Sequence, residues 1–172
     1  NIVLHFESTQ VDIVDLSNDA QALAKQNVIL HQVEDRVRVV QSDLFTELAG
    51  QQYDLIISNP PYVPASSMAE LPVEYTHEPV MALQADDDGM AIVDTMLHAA
   101  VEHLSDNGVL IIEVGEIADA VHERYQQLPF IWLEFEYGGE GVFLLQKKQV
   151  LLFKVILFLE IQQKQLRLPK KH

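Results

Sequence analysis

The sequence predicts an α/β fold: a mostly parallel sheet with helices on both faces, closed by an antiparallel hairpin. Three observations carry this. Short apolar strand patterns alternate with helical ones between residues 11 and 127. Residues 109–114, Val-Leu-Ile-Ile-Glu-Val, are almost wholly apolar, as in a strand covered on both faces. Gly138-Gly139-Glu140-Gly141 separates two further apolar runs, which is a hairpin signal.

Each element has its own warrant. Residues 11–16 alternate apolar and acidic and read as a strand. Ser17 then caps a helix over 18–32, with Asp19 favourable in its first turn. Residues 36–41 form a short strand ended by Ser42-Asp43, and residues 53–58 form a third. A loop rich in Pro and polar residues runs from 60 to about 88. Helical spacing returns over 89–104 through Ile92, Met96, Leu97 and Ala100. Gly108 turns the chain into the strand at 109–114, and a helix over 117–127 follows. Strands at 130–137 and 142–146 make the hairpin.

Ligands of parallel α/β sheets sit beyond the carboxyl ends of the strands. Asp15, Asp43 and Asn59 all fall at such ends. Of these, Asn59 opens the most informative stretch, Asn59-Pro60-Pro61-Tyr62. Consecutive prolines lack backbone N–H groups and fix φ, so the chain leaves the strand in one rigid shape. That shape can present the Asn59 side-chain oxygen and the Pro60 carbonyl side by side. Two neighbouring acceptors suit an NH₂ group, and the Tyr62 ring can cover a flat amide or a base. The pattern points to methylation of a planar amino or amide nitrogen.

Bulk properties narrow the class. At 172 residues, 48% hydrophobic and 22% charged, the chain has the balance of a soluble globular domain. There is no cysteine, which excludes disulfides and Cys-zinc sites. His98 and His103 stand five apart on a helical stretch, which is not a metal-ligand spacing, and Asp86-Asp87-Asp88 reads as a solvated helix start; no metal is expected. The net charge is −15, unevenly spread. Residues 1–146 hold four basic and 25 acidic side chains, and residues 147–172 hold seven basic and one acidic. An acidic body repels nucleic-acid phosphates and is compatible with a basic partner. The apolar stretch 150–161 is broken by Lys154 and Glu160 and is too short to span a bilayer. No signal peptide is visible at the start, so no membrane role and a cytoplasmic location are expected. The basic, apolar tail 147–172 shows no helical period to assign.

Five segments resemble the class I S-adenosylmethionine-dependent methyltransferases, and within them the N5-glutamine methyltransferases of the HemK/Prm type. They are Val14-Asp15-Leu16-Ser17, Ser42-Asp43-Leu44-Phe45, Ile57-Ser58-Asn59-Pro60-Pro61-Tyr62-Val63, the stretch from Leu71-Pro72 to His77-Glu78-Pro79, and Glu113-Val114-Gly115. The ending, with Gly-Gly-Glu-Gly-Val-Phe and residues 129–135, is similar to the PrmB branch, which modifies a glutamine of ribosomal protein three of the large subunit. The resemblance implies a Rossmann-like sheet, S-adenosylmethionine as cofactor and a protein partner. Residues 1–146 would be a partial catalytic domain, followed by the tail. The family's first strand and glycine-rich cofactor loop have no counterpart here, since no glycine precedes Gly50. The resemblance therefore implies an N-terminally truncated chain, with two unpaired edges beside the strands ending at Asp15 and Ser58.

The resemblance also distributes roles. Asp15 would accept hydrogen bonds from the ribose hydroxyls, with Leu16 beside it. Asp43 would accept from the adenine amino group, while Leu44 packs on the ring and offers its backbone N–H. Asn59 belongs to both cofactor and substrate, and Glu78 lines the substrate mouth or orders its loop. In catalysis, Asn59 and Pro60 would accept from the two amide N–H groups, Pro61 would be a rigid spacer, and Tyr62 a pocket wall. A glutamine nitrogen is a poor nucleophile, so such a site works by positioning and electrostatic stabilisation. Two other functions compete. An adenine-N6 nucleic-acid methyltransferase shares the tetrad but calls for a basic face. An inactive fragment of the glutamine enzyme follows from the missing loop.

Overall fold

The structure is a computed structural model, and it describes residues 2–62, 89–136 and 138–156. The chain forms two compact units, Asn1–Gln51 and Gln52–His172.

The first unit contains α1 (Ile2–His5), β1 (Val11–Asp15), α2 (Asn18–Leu30) and β2 (Val37–Gln41). β1 and β2 pair in parallel, in register from Val11↔Val37 to Asp15↔Gln41. The Ser17 side chain accepts from the Ala20 amide at 3.3 Å, so α2 starts at the expected cap. The helix stops at Leu30, two residues before the expected end, because Gln32 takes a left-handed φ of 53°. Val3, Val28, Val33 and Val37 form the core, with Val11, Ile13 and Val39 against it. The Arg36 guanidinium donates to the carbonyls of Val3 at 2.9 Å and Glu7 at 3.2 Å, tying the α1 region to the start of β2.

The second unit contains β3 (Tyr53–Ser58), α3 (Ala91–His103), β4 (Leu104–Glu113), a 3-10 turn (Gly115–Ile117), α4 (Ala118–Arg124), β5 (Ile131–Leu133) and β6 (Val142–Gln146). Residues 147–156 are helical. The sheet order is β3-β4-β6-β5, parallel between β3 and β4 and antiparallel thereafter. The expected hairpin is therefore present, with Trp132↔Phe143 and Leu133↔Val142 as its inner pairs. Leu97, Leu104, Leu110, Ile112, Phe143 and Leu145 are wholly buried and form the centre of the core.

Boundaries in the second unit also differ from expectation. β4 begins at Leu104, five residues early, because residues 105–108 loop out of the ladder. Pairing passes from Tyr53↔Leu104 to Leu55↔Val109, and Ser105 Oγ donates to Asp54 Oδ1 at 2.6 Å across the bulge. The helix expected over 117–127 ends at Arg124, because Tyr125 leaves helical geometry at φ −120°, ψ 45°. The strand expected over 130–137 pairs only at Ile131–Leu133.

β1 pairs only with β2, and β3 only with β4, among the described residues. Within the described residues, each of the two strands therefore has one edge without a partner strand. On β3 this leaves Leu55 44% and Ile57 54% exposed, in a run apolar enough for a covered strand.

The tail departs from its unpatterned appearance. Within the helical residues 147–156, Val150 and Phe153 are buried, while Leu151, Leu152 and Val155 are exposed.

Candidate functional site

In the first unit, the carboxyl ends of β1 and β2 are joined by a polar network. The Ser42 amide donates to the Asp15 carbonyl at 3.2 Å, and Gln21 Nε2 donates to the same carbonyl at 3.2 Å. The Asp15 side chain folds back on its own loop, where Oδ1 accepts from the Ser17 amide at 2.7 Å. This fixes the carboxylate at the strand end. Asp15 is exposed, and its Oδ2 receives no donor from the described residues. Gln41 Nε2 donates to the Leu16 carbonyl at 3.4 Å and to Asn18 Oδ1 at 3.0 Å, bracing the loop from the β2 side.

Beyond β2, one buried hydroxyl organises the turn. Ser42 Oγ donates to the Leu44 carbonyl at 3.0 Å, accepts from the Glu47 amide at 3.0 Å, and lies 3.2 Å from Thr46 Oγ1. The Asp43 carbonyl accepts from Thr46, from its amide at 3.1 Å and its hydroxyl at 2.9 Å. The carbonyl is thereby used within the turn, and the Asp43 side chain stays exposed. Leu44 is held at φ +49°, a left-handed conformation that costs a non-glycine residue roughly 1 kcal/mol or more. The sequence marks Ser42 as a strand end but gives its hydroxyl no role. The signal for that role was the run Ser42-Asp43-Leu44-Phe45-Thr46-Glu47, where a serine precedes three further side-chain acceptors or donors within a tight turn.

In the second unit, β3 ends at Ser58 and the tetrad leaves it as expected. Asn59 is exposed, Pro60 is buried, and Pro61 and Tyr62 are half-buried. Tyr62 meets two glycines that the sequence reading did not connect with it. A Cβ on Gly115 would lie 2.5 Å from Cε2 and Cζ of the ring, and one on Gly89 would lie 2.4 Å from the Tyr62 carbonyl oxygen. Glu78 falls outside the described residues.

A separate polar cluster joins α3 to α4. The Tyr125 hydroxyl donates to Asp94 Oδ1, and Arg124 pairs with Asp94 Oδ2 at 3.1 Å. Burial pushes the Tyr125 phenol well above its ordinary pKa, and the hydrogen bond to Asp94 and its negative charge add to this, while Arg124 opposes it. This cluster holds two helices together and lies on none of the residues of the expected site.

Residues 2–74 match the model of the methyltransferase small domain. The chain is 44% identical over 149 residues to a ribosomal protein uL3 glutamine methyltransferase of Francisella tularensis, which covers 87% of the chain and 48% of that protein. It is 44% identical over 147 residues to the protein of the same name from Neisseria meningitidis, over 86% of the chain and 48% of the relative. Most of the chain is thus similar to ribosomal protein uL3 glutamine methyltransferases. It spans about half the length of the curated relatives it matches.

Solved structures show the same fold at low identity. A methyltransferase from Pyrococcus furiosus superposes with a TM-score of 0.57 at 15% identity, covering 85% of this chain and 66% of that one. The hMettl16 catalytic domain, in complex with a MAT2A 3'UTR hairpin, superposes at 0.58 with 16% identity, covering 83% and 56%. The Rossmann-like α/β class expected from the sequence is thus observed. Among the described residues, no helix is long and apolar enough to cross a membrane.

Proposed function

We propose that this chain carries the methyl-transfer segment of a protein-glutamine N5-methyltransferase that acts on ribosomal protein uL3. The observation behind this reading is the 44% identity, over 87% of the chain, to a relative of that name. The exposed Asn59 and the rigid Pro60-Pro61 turn supply the chemistry the reaction needs. Asn59 Oδ1 and the Pro60 carbonyl accept the two amide N–H groups of the glutamine. They hold its nitrogen toward the methyl donor and favour charge developing on it. Tyr62 walls the amide pocket, and the resemblance assigns Glu78 either to line the substrate mouth or to order its loop.

S-adenosylmethionine supplies the methyl group. The residues of the first unit fit it by the chemistry of their donors and acceptors. Ribose hydroxyls and an adenine amino group are donors, and Asp15 and Asp43 are exposed acceptors at adjacent strand ends. Asp15 is further suited because one oxygen is anchored by Ser17 and the other is left over. Leu16 and Leu44 flank these carboxylates, and Leu44 keeps a strained backbone that an ordinary turn would not need. A uL3 substrate implies a cytoplasmic protein whose acidic body meets a basic ribosomal partner.

The test is mass spectrometry of uL3 from cells with and without the gene. Loss of one methyl group from a single glutamine is expected on deletion. A modification that persists unchanged sinks the reading.

A further inference from the structure

Gly141 lies in the β5–β6 hairpin, 79 positions after Tyr62 in sequence, yet the structure links the two. The Val114 amide donates to the Gly141 carbonyl at 2.8 Å, which extends the β4–β6 ladder by one bond beyond Glu113↔Val142. This brings Gly141 onto the backbone of Gly115. A Cβ on Gly141 would lie 2.4 Å from the Gly115 carbonyl oxygen, 2.8 Å from its nitrogen and 2.9 Å from its Cα. Gly115 in turn has no room for a Cβ because the Tyr62 ring occupies that place, with Cε2 and Cζ at 2.5 Å and the hydroxyl at 2.7 Å. Hairpin backbone, Gly115 backbone and aromatic ring are therefore stacked in direct contact. Gly89 in turn lies close against the Tyr62 carbonyl.

We propose that Gly141 is a positioning residue for methyl transfer, setting the Tyr62 ring through Gly115. This rests on the reading of Tyr62 as the wall of the amide pocket. Backbone atoms cannot rotate aside as a flexible side chain does. A methyl group on Gly141 must therefore push Gly115 by roughly 1 Å to reach ordinary contact distance. The ring lies against Gly115 and moves with it. Displacement of that size at a positioning group costs on the order of 100-fold in rate.

The hairpin supplies its own control. Gly138 has φ +68°, close to the +72° of Gly141, but a Cβ there meets nothing within 4 Å. Gly138→Ala thus carries the same backbone strain without the contact. In the intact protein, with uL3 as substrate, Gly141→Ala is expected to lower kcat by about 10- to 100-fold while Gly138→Ala stays within about 2-fold of the parent. The KM for S-adenosylmethionine stays unchanged in both. In a Tyr62→Ala background, Gly141→Ala adds less than about a further 2-fold, because the ring through which it acts is gone. A full additive loss in that background, or a normal kcat for Gly141→Ala, overturns the proposal. Wild-type transfer by Tyr62→Ala alone overturns the pocket-wall reading and the positioning role with it.

A readout independent of transfer uses tyrosine ring-labelled protein in nuclear magnetic resonance. The Tyr62 signal is expected to move in Gly141→Ala and to stay in place in Gly138→Ala. An unmoved signal in Gly141→Ala rules out the contact chain even where uL3 proves not to be the substrate. Should Gly141→Ala fold poorly, the parent protein still decides. Cross-relaxation between the Gly115 α-protons and the Tyr62 ring is expected, and its absence overturns the proposal.

Discussion

The Ser17 amide holds Oδ1 of Asp15 at 2.7 Å, while the Ser17 hydroxyl caps α2 through the Ala20 amide at 3.3 Å. One residue thus serves the carboxylate with its backbone and the helix with its side chain. The two roles are separable by mutation. Ser17→Ala keeps the amide and loses the cap, so it should cost about 0.5–2 kcal/mol of stability and leave S-adenosylmethionine affinity nearly unchanged. Asp15→Asn keeps the shape and loses the charge. It should weaken cofactor binding by about 10- to 100-fold, the range for charge-assisted hydrogen bonds to a carboxylate. Isothermal titration calorimetry with urea unfolding on the same samples checks both. Equal binding by Asp15→Asn and the parent would remove Asp15 from the cofactor site.

Asn59 should behave in the opposite way. Its proposed bond is chiefly to the substrate amide, and its side chain is exposed at the end of β3. Asn59→Ala is expected to reduce methyl transfer by about 1,000-fold, as loss of one preorganised polar partner does. Its cofactor dissociation constant should move by less than about 3-fold, and its stability by less than about 0.5 kcal/mol. Single-turnover transfer of labelled methyl to uL3 is the measurement. Normal turnover would exclude the amide-clamp role.

How far the sequence reached is visible in particular residues. Asp15, Ser58 and the tetrad were legible because strand alternation and paired prolines are local signals. The hairpin was legible from its glycines. By contrast, Ser105-Asp106-Asn107-Gly108 looks like a turn between separate elements, yet the ladder resumes across it, since register depends on the neighbouring strand. Ser42 was legible only as a strand end, because the worth of its hydroxyl lies in three partners gathered only by the turn. The contact of Gly115 with Tyr62 joins residues 53 positions apart and leaves no trace in spacing.

Tyr125 gives a pH-dependent prediction. Its folded pKa is raised by burial and by Asp94, so the folded state holds the phenolic proton more tightly than the unfolded chain does. The stabilisation is fully present below the unfolded pKa of about 10. Above it, the unfolded chain ionises first and stability falls by up to about 1.4 kcal/mol per pH unit from this group. Urea unfolding of the parent and of Tyr125→Phe at pH 8 and pH 11 isolates the effect. The gap between them at pH 8, from loss of the Asp94 hydrogen bond, should narrow at pH 11. An unchanged gap would show that Tyr125 ionises as readily folded as unfolded.

The tail offers the last prediction. Its helix was hidden in the sequence because apolar residues stand on both sides of it. Val150 and Phe153 face the core, but Leu151, Leu152 and Val155 point outward, so no 3.6-residue period emerges. Phe153 is only 6% exposed and packs edge-on to Tyr125, with ring centroids 5.2 Å apart, and near His98 at 6.1 Å. Lys154 adds an exposed pair with Glu102, of little energetic weight. Residues 147–156 should therefore act as part of the second unit. Phe153→Ala is expected to destabilise it by about 3–5 kcal/mol, the range for emptying a buried aromatic site. Lys154→Ala should change stability by less than about 1 kcal/mol. Thermal unfolding followed by circular dichroism compares them. If Phe153→Ala unfolds at the parent temperature, the helix is an appendage and not part of the core.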